Sequence, residues 1–239
     1  MSRFNCLFWS NKNVTEVLND ATLIVNLAFD SNSLADSGPL TISGTGTGYT
    51  FTSSGRVNSA LTLSATTAYV QVTGLRRIGT SSWPYSVAIW INPTSLAGGT
   101  IMPLSSRTDG AQTSAWCLPI MGLTSSGQIQ IAINSWNGSN VPLTGPTVSL
   151  NTWTHVVATY SPTNGERLYV NNVLRANTGA YAFSADGVPM TITLGSSLNG
   201  TGVCNTGTIQ MGRFYGSLDQ FYVYARELTA SEVSTLYNV

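Results

Sequence analysis

Charge is what this chain has least of. Only 8% of its 239 residues are Asp, Glu, Lys or Arg, against roughly 25% in an average soluble domain. Nine Arg and the single Lys12 balance ten carboxylates, for a net charge of zero. That balance excludes the steering field of a nucleic-acid binder or of a protein drawn to an anionic membrane. There is one histidine, His155, so no second imidazole is available to build a metal centre, and no G-x-S-x-G nucleophile elbow occurs. No run of about 18 apolar residues is present, which argues against a membrane-spanning helix. The opening "MSRFNCLFWSNKNVTEVLND" has a short apolar patch at Phe4–Trp9, without the longer run and small-residue cleavage site of a secretion signal. No period of 20–50 residues recurs.

Hydrophobic residues make up 42% of the chain, too many for a disordered one. Solubility therefore rests on Ser, Thr, Asn and Gly. After residue 20 the sequence is dominated by short alternating segments between turn residues. "ATLIVNLAFD" (21–30), "ALTLS" (60–64), "YVQV" (69–72), "YSVAIWINP" (85–93), "TIMPLSS" (100–106), "CLPIMGL" (117–123) and "QIQIAINSW" (128–136) read as strands. "WTHVVATY" and "RLYVN" form a hairpin through "SPTNGE", where Asn164-Gly165 suits a tight turn, and Asn171-Asn172 turns the chain back into "VLRA". "MTITLGSS" and "SLDQFYVYAREL" complete about a dozen strands, the pattern of an all-β sandwich. One short helix is expected in "ELTASEVSTLY", where Thr229 and Glu232 have capping-box spacing. Residues 1–20 read as an N-terminal extension and 21–239 as one domain. "GTGTGY" (44–49) has a phosphate-loop look, but no helix follows it, so it reads as a flexible turn.

In an extended "WTHVVATY", Trp153, His155, Val157 and Thr159 share one face. With no partner constellation, His155 reads as hydrogen-bonded framework rather than a general base. Cys117 and Cys204 both border Ser/Gly-rich loops where a bridge would fit, with Cys6 left over; the alternative is three free thiols. Such a bridge would favour an extracellular or cell-surface protein. Sequons at Asn13, Asn137 and Asn199 are no more than chance gives in a chain of this composition.

"LNTWTHVVATYSPTNGERLYVNNVLRAN" resembles laminin-G-like jelly-roll modules of the concanavalin A-like lectin/glucanase superfamily. "LIVNLAFD" with "LADSG", "GRVNSALTLSATTAYVQV", "YSVAIWINPTS" and "GSLDQFYVYARELTASEVSTLY" follow in the order such modules show, over about residues 21–237. The resemblance implies a two-sheet antiparallel β-sandwich that binds ligands on the concave face or at the rim. It also implies a structural calcium held by Asp30 and Asp219, although Gln220 stands where a second acid commonly follows; the alternative is that both acids cap turns. The superfamily's glucanases carry Glu-x-Asp-x-x-Glu on one strand, and no such triplet exists here. For sugar binding, exposed aromatics flanked by amides and Arg are the useful groups. Arg107, Asp109, Trp116, Trp136, Asn137, Asn199 and Tyr215 are the loop-borne candidates, whereas Trp83 and Trp116 suit either a site or packing and Trp90 and Trp153 suit the core. The expected function is a non-catalytic, lectin-like adhesion or recognition module for a glycan or glycoprotein surface. A structural module binding protein partners is the alternative, and a glycoside hydrolase the second.

Overall fold

Residues 12–96, 99–111, 117–134, 140–200, 208–210 and 212–239 are described in the structure, a computed structural model. In chain order they form α1 (Val14–Leu18), β1 (Leu23–Leu27), β2 (Thr45–Thr47), β3 (Thr50–Thr52), β4 (Ala60–Leu63), β5 (Tyr69–Leu75) and β6 (Tyr85–Pro93). There follow β7 (Thr100–Ser105), β8 (Cys117–Leu123), β9 (Gln128–Asn134), β10 (Asn140–Thr147), β11 (Thr154–Ser161) and β12 (Gly165–Val170). β13 (Val173–Asn177), β14 (Met190–Leu194), β15 (Gly216–Tyr224) and α2 (Ala230–Tyr237) end the chain. No helix among the described residues is long and apolar enough to cross a membrane.

The strands pair into two antiparallel sheets. One runs β13-β12-β11-β6-β15-β4-β3, with β1 on the far half of β15; the other runs β10-β9-β8-β7-β14-β5-β2. Period-two alternation makes the sandwich. Val87, Ile89 and Ile91 of β6 and Val156 and Tyr160 of β11 meet Val70, Val72, Ile129, Ile131, Ile192 and Leu194 of the second sheet in one core. Strand β15 changes phase once. Gln220, at φ 49°, forms a bulge between Asp219 and Tyr222, so Leu218 and Phe221 both reach the core while Tyr222 faces outward.

The outer face of the first sheet has a core of its own. Ala88, Val157, Tyr169, Tyr222 and Tyr224 pack against Val17 of α1 and against Leu228, Val233 and Leu236. Helices of five and eight residues do not persist alone. Burial at about 1.5–3 kcal/mol per large side chain holds them, and both carry a capping box, Asn13 with Glu16 and Thr229 with Glu232. Arg226 Nη2 bridges Asp20 and Glu232 at 2.7 Å each, and Lys12 pairs with the same two acids at 2.9 and 3.1 Å. Residues 12–20 are thus docked on the sandwich.

Two local expectations are corrected. "GTGTGY" is ordered: β2 pairs β5 in one sheet and β3 pairs β4 in the other, so the stretch steps between sheets. A Cβ at Gly46 would lie 2.1 Å from the Tyr69 carbonyl oxygen, so glycine is what permits the pairing. In the β11–β12 hairpin only Gly165 (φ 70°) is left-handed, whereas the β12–β13 turn has both Asn171 (49°) and Asn172 (63°) there, the two-residue I′ geometry.

Candidate functional site

The loop after β7 folds back over the outer face of the second sheet. Gln71 Nε2 donates to the Thr108 carbonyl at 2.6 Å and to Thr193 Oγ1 at 3.0 Å, fixing the loop from below. This brings Arg107, Asp109 and Asn199 together: Arg107 Nε and Nη2 donate to the Asp109 carboxylate at 2.9 and 2.5 Å, and Asn199 N–H donates to the Asp109 carbonyl at 3.2 Å. The Arg107 bond holds the Asp109 carboxyl well below the usual range. The Nε–Nη2 edge of the Arg107 fork is engaged in that internal pair. Tyr215 lies apart, half-buried just before β15, where its carbonyl accepts Thr94 N–H at 2.9 Å. Trp116, Trp136, Asn137 and Cys204 lie outside the described residues; Cys117 is disulfide-bonded.

Asp30 and Asp219 come together across the β1 and β15 ends. Asp219 is fully buried; its Oδ2 accepts Val57 N–H at 3.0 Å and its Oδ1 accepts Gln220 N–H at 2.9 Å. Burial, helped by the charge of Asp30, pushes its carboxyl up to about 7. Asp30 Oδ1 is buried with no hydrogen-bond partner among the described residues. An orphaned carboxylate oxygen beside a second acid is what a hard cation would resolve, with carbonyl oxygens or water completing the shell. Gln220 adds no ligand: its Oε1 accepts the Tyr222 hydroxyl and its Nε2 points to the Ala28 carbonyl. No group of three His, Cys, Asp or Glu side chains gathers among the described residues.

His155 is framework, but through aromatic packing. It is 1% exposed and packs at a tilt against both Trp90 (centroids 4.9 Å) and Tyr237 of α2 (5.9 Å), which stack on each other at 5.4 Å. Neither ring nitrogen has a hydrogen-bond partner among the described residues, contrary to the hydrogen-bonded role expected. Burial, helped by the charge of Arg56, whose guanidinium sits over Trp90, pushes the imidazole down to about 3. Enclosed, held neutral and with no partner among the described residues, the ring is placed as packing rather than as a general base.

A pocket of about 370 Å³ opens at the rim where β1 and β5 approach, a size that suits a small ligand. Leu40 and Ile42 form one side, on a loop tied down by Asp36, whose carboxylate accepts N–H bonds from Asn26, Gly38 and Ile42 at 2.7 Å each. Arg76, Arg77 and Trp83 form the other, on the loop between β5 and β6. Trp83 is half-buried, its Nε1–H donates to the Ala225 carbonyl at 3.3 Å, and the Arg77 Cζ lies 3.9 Å over its ring. Of the residues expected at the site, the described ones, Arg107, Asp109, Asn199 and Tyr215, do not line this pocket, whereas Trp83, read as suiting either a site or packing, does. Its signal was "LRRIGTSSW", two cations and an aromatic in one loop; Leu40 and Ala225 arrive from distant segments.

An aromatic ring, an apolar wall and two guanidinium groups thus line one rim pocket of this β-sandwich. The chain belongs to the concanavalin A-like lectin/glucanase superfamily: the family model of its laminin-G type matches residues 64–234. No curated protein sequence matches it. Among solved structures it is similar to domain 4 of an extracellular arabinanase from Geobacillus stearothermophilus in complex with arabinotriose, at TM-score 0.61 and 19% identity, covering 90% of this chain and 98% of that one. It is also similar to the binding domain of Paraclostridial Mosquitocidal Protein 1, at 0.65 and 17%, over 91% of this chain and 52% of that one. The ligand binding domain of botulinum neurotoxin serotype D in complex with N-acetylneuraminic acid matches at 0.62 and 17%, over 95% and 52%. The chain spans about half of the two toxin structures. At these identities the likeness is one of fold.

Proposed function

We propose that this chain is a non-catalytic glycan-recognition module working outside the cytoplasm. The observation that carries the reading is the lining of the rim pocket, where Trp83, with the Arg77 guanidinium over its ring, Arg76, and apolar Leu40 and Ile42 come together and no carboxylate appears among the described residues. Sugars combine an apolar ring face with hydroxyls, which such a wall complements. Hydrolysis in most glycosidases takes two carboxylates flanking the bond, and this wall supplies neither. Solved relatives in fold that hold an arabinotriose and an N-acetylneuraminic acid support the reading. The disulfide at Cys117 supports an oxidising compartment. Its pairing with Cys204 and a structural calcium at Asp30 and Asp219 belong to the same proposal.

A saccharide panel tests it. Trp83→Ala is expected to weaken binding roughly tenfold or more, because it removes an aromatic wall of the pocket and the ring on which Arg77 rests, while His155→Gln leaves it unchanged. Binding that ignores Trp83 sinks the assignment to this pocket. A second reading, docking of a protein partner, draws on Val173 and Leu174, each 46% exposed on the edge strand β13.

A further inference from the structure

Among the described residues the rim pocket carries charge of one sign only. Arg76 and Arg77 both line it and both are exposed. Ion pairs among the described residues use Lys12, Arg107, Arg167 and Arg226; neither Arg76 nor Arg77 has a carboxylate partner there. Asp20, next to the wall residue Ala21, is already held by Lys12 and Arg226 at 2.9 and 2.7 Å. Two uncompensated guanidinium groups therefore face the opening in a chain with very little charge to spend.

Arg77 is also pre-ordered. A guanidinium stacked on an aromatic ring keeps its in-plane N–H donors free, and its fork matches a carboxylate with two parallel bonds. The ring beneath it is fixed through the Ala225 carbonyl, and the loop is stapled down. Ser81 Oγ donates to the Ala185 carbonyl and accepts Ala185 N–H, both at 3.0 Å. Ser82 N–H donates to the Phe183 carbonyl at 3.0 Å, and Thr80 Oγ1 to the Arg76 carbonyl at 2.9 Å. Opposite the cations stands apolar surface, with Leu40 half exposed. A free inorganic anion would use the cations and leave that surface wet. A neutral sugar would use the surface and leave the cations unmatched.

We infer, resting on the glycan reading above, that the pocket selects a sugar residue bearing a carboxylate, the acid taken by Arg77 and Arg76 and the sugar's apolar side laid on Leu40 and Ile42. Hexuronates and nonulosonates such as N-acetylneuraminic acid share this chemistry. Calorimetry on the full chain with methyl glucuronide, N-acetylneuraminic acid, the methyl ester of each, and methyl glucoside separates the cases. One acid is expected to bind roughly tenfold or more tighter than its own ester, and which acid it is names the source. Arg77→Gln, at an exposed position that leaves folding intact, removes that preference, and Arg77→Lys fails to restore it because an ammonium has no fork. Esters that bind as well as acids, or an Arg77→Gln protein that keeps the preference, overturn the inference. If neutral sugars bind at Trp83 without preference for acids, the glycan reading stands and this inference falls. If no sugar binds, both fall.

Discussion

A buried ionisable side chain sets the pH behaviour of a chain with so few charges. Glu166 is 1% exposed; it accepts only the Tyr85 hydroxyl, at 3.4 Å, and its Oε2 has no partner among the described residues. Burial pushes it up to about 8, from an ordinary 4.5. A carboxyl raised in the folded state stabilises below its unfolded value, and that stability is lost as pH rises through 8. His155 works in reverse. Depressed from 6.5 to about 3, it contributes stability present above 6.5 and lost as pH falls towards 3. Melting temperature should therefore peak in weakly acidic buffer, and Glu166→Gln should make the alkaline limb shallower, leaving the part owed to Asp219, which burial raises to about 7. An unchanged limb in that variant would contradict the account. His155→Gln should cost about 1–3 kcal/mol at neutral pH, the usual range for a core substitution. The sequence made the framework role of His155 legible, because a lone imidazole has no partners to work with. Its aromatic neighbours were not legible, since Trp90 and Tyr237 are brought to it only by the sheet register and the docked helix.

Most strands announced themselves by Val, Ile and aromatic alternation, and α2 by its cap. Those that did not, β2, β3 and β10, are short or interrupted by Gly and Pro, and are ordered by the strands they pair with. The bulge in β15 was equally hidden, yet it lets Asp219 and its neighbours serve both faces. The turn carrying Asp30 follows Phe29 at φ 60°, and Ser31 and Asn32 are also left-handed. Such strain is tolerated where the surroundings fix it, and a cation between Asp30 and Asp219 would help to fix it. Because Asp219 titrates at about 7 when no ion is present, calcium should displace its proton. The rise in melting temperature on adding calcium should then be larger at pH 8 than at pH 5.5, and Asp30→Asn should abolish it. Equal responses at both pH values, or a full response in the variant, would remove the ion from this place.

At the scale of the whole molecule, two sheets and a docked pair of helices bury the apolar side chains in two clusters and leave loops to carry specificity. The site residues expected from sequence are polar or aromatic loop residues, and the fold gathers three of them, Arg107 and Asp109 as an ion pair and Asn199 through a backbone bond to Asp109. The rim pocket draws on four separate stretches of chain, around residues 22, 41, 76 and 225, which no linear pattern joins. Non-reducing peptide mapping should recover Cys117 linked to Cys204; a Cys6 linkage would refute that pairing. The central claim is glycan recognition at Trp83, and titrating the labelled protein with saccharides while following the Trp83 indole N–H by NMR tests it most directly. The account predicts that a binding sugar shifts this resonance in a saturable way and that Trp83→Phe abolishes the tight phase. Saturable binding that leaves the Trp83 signal unmoved would contradict it.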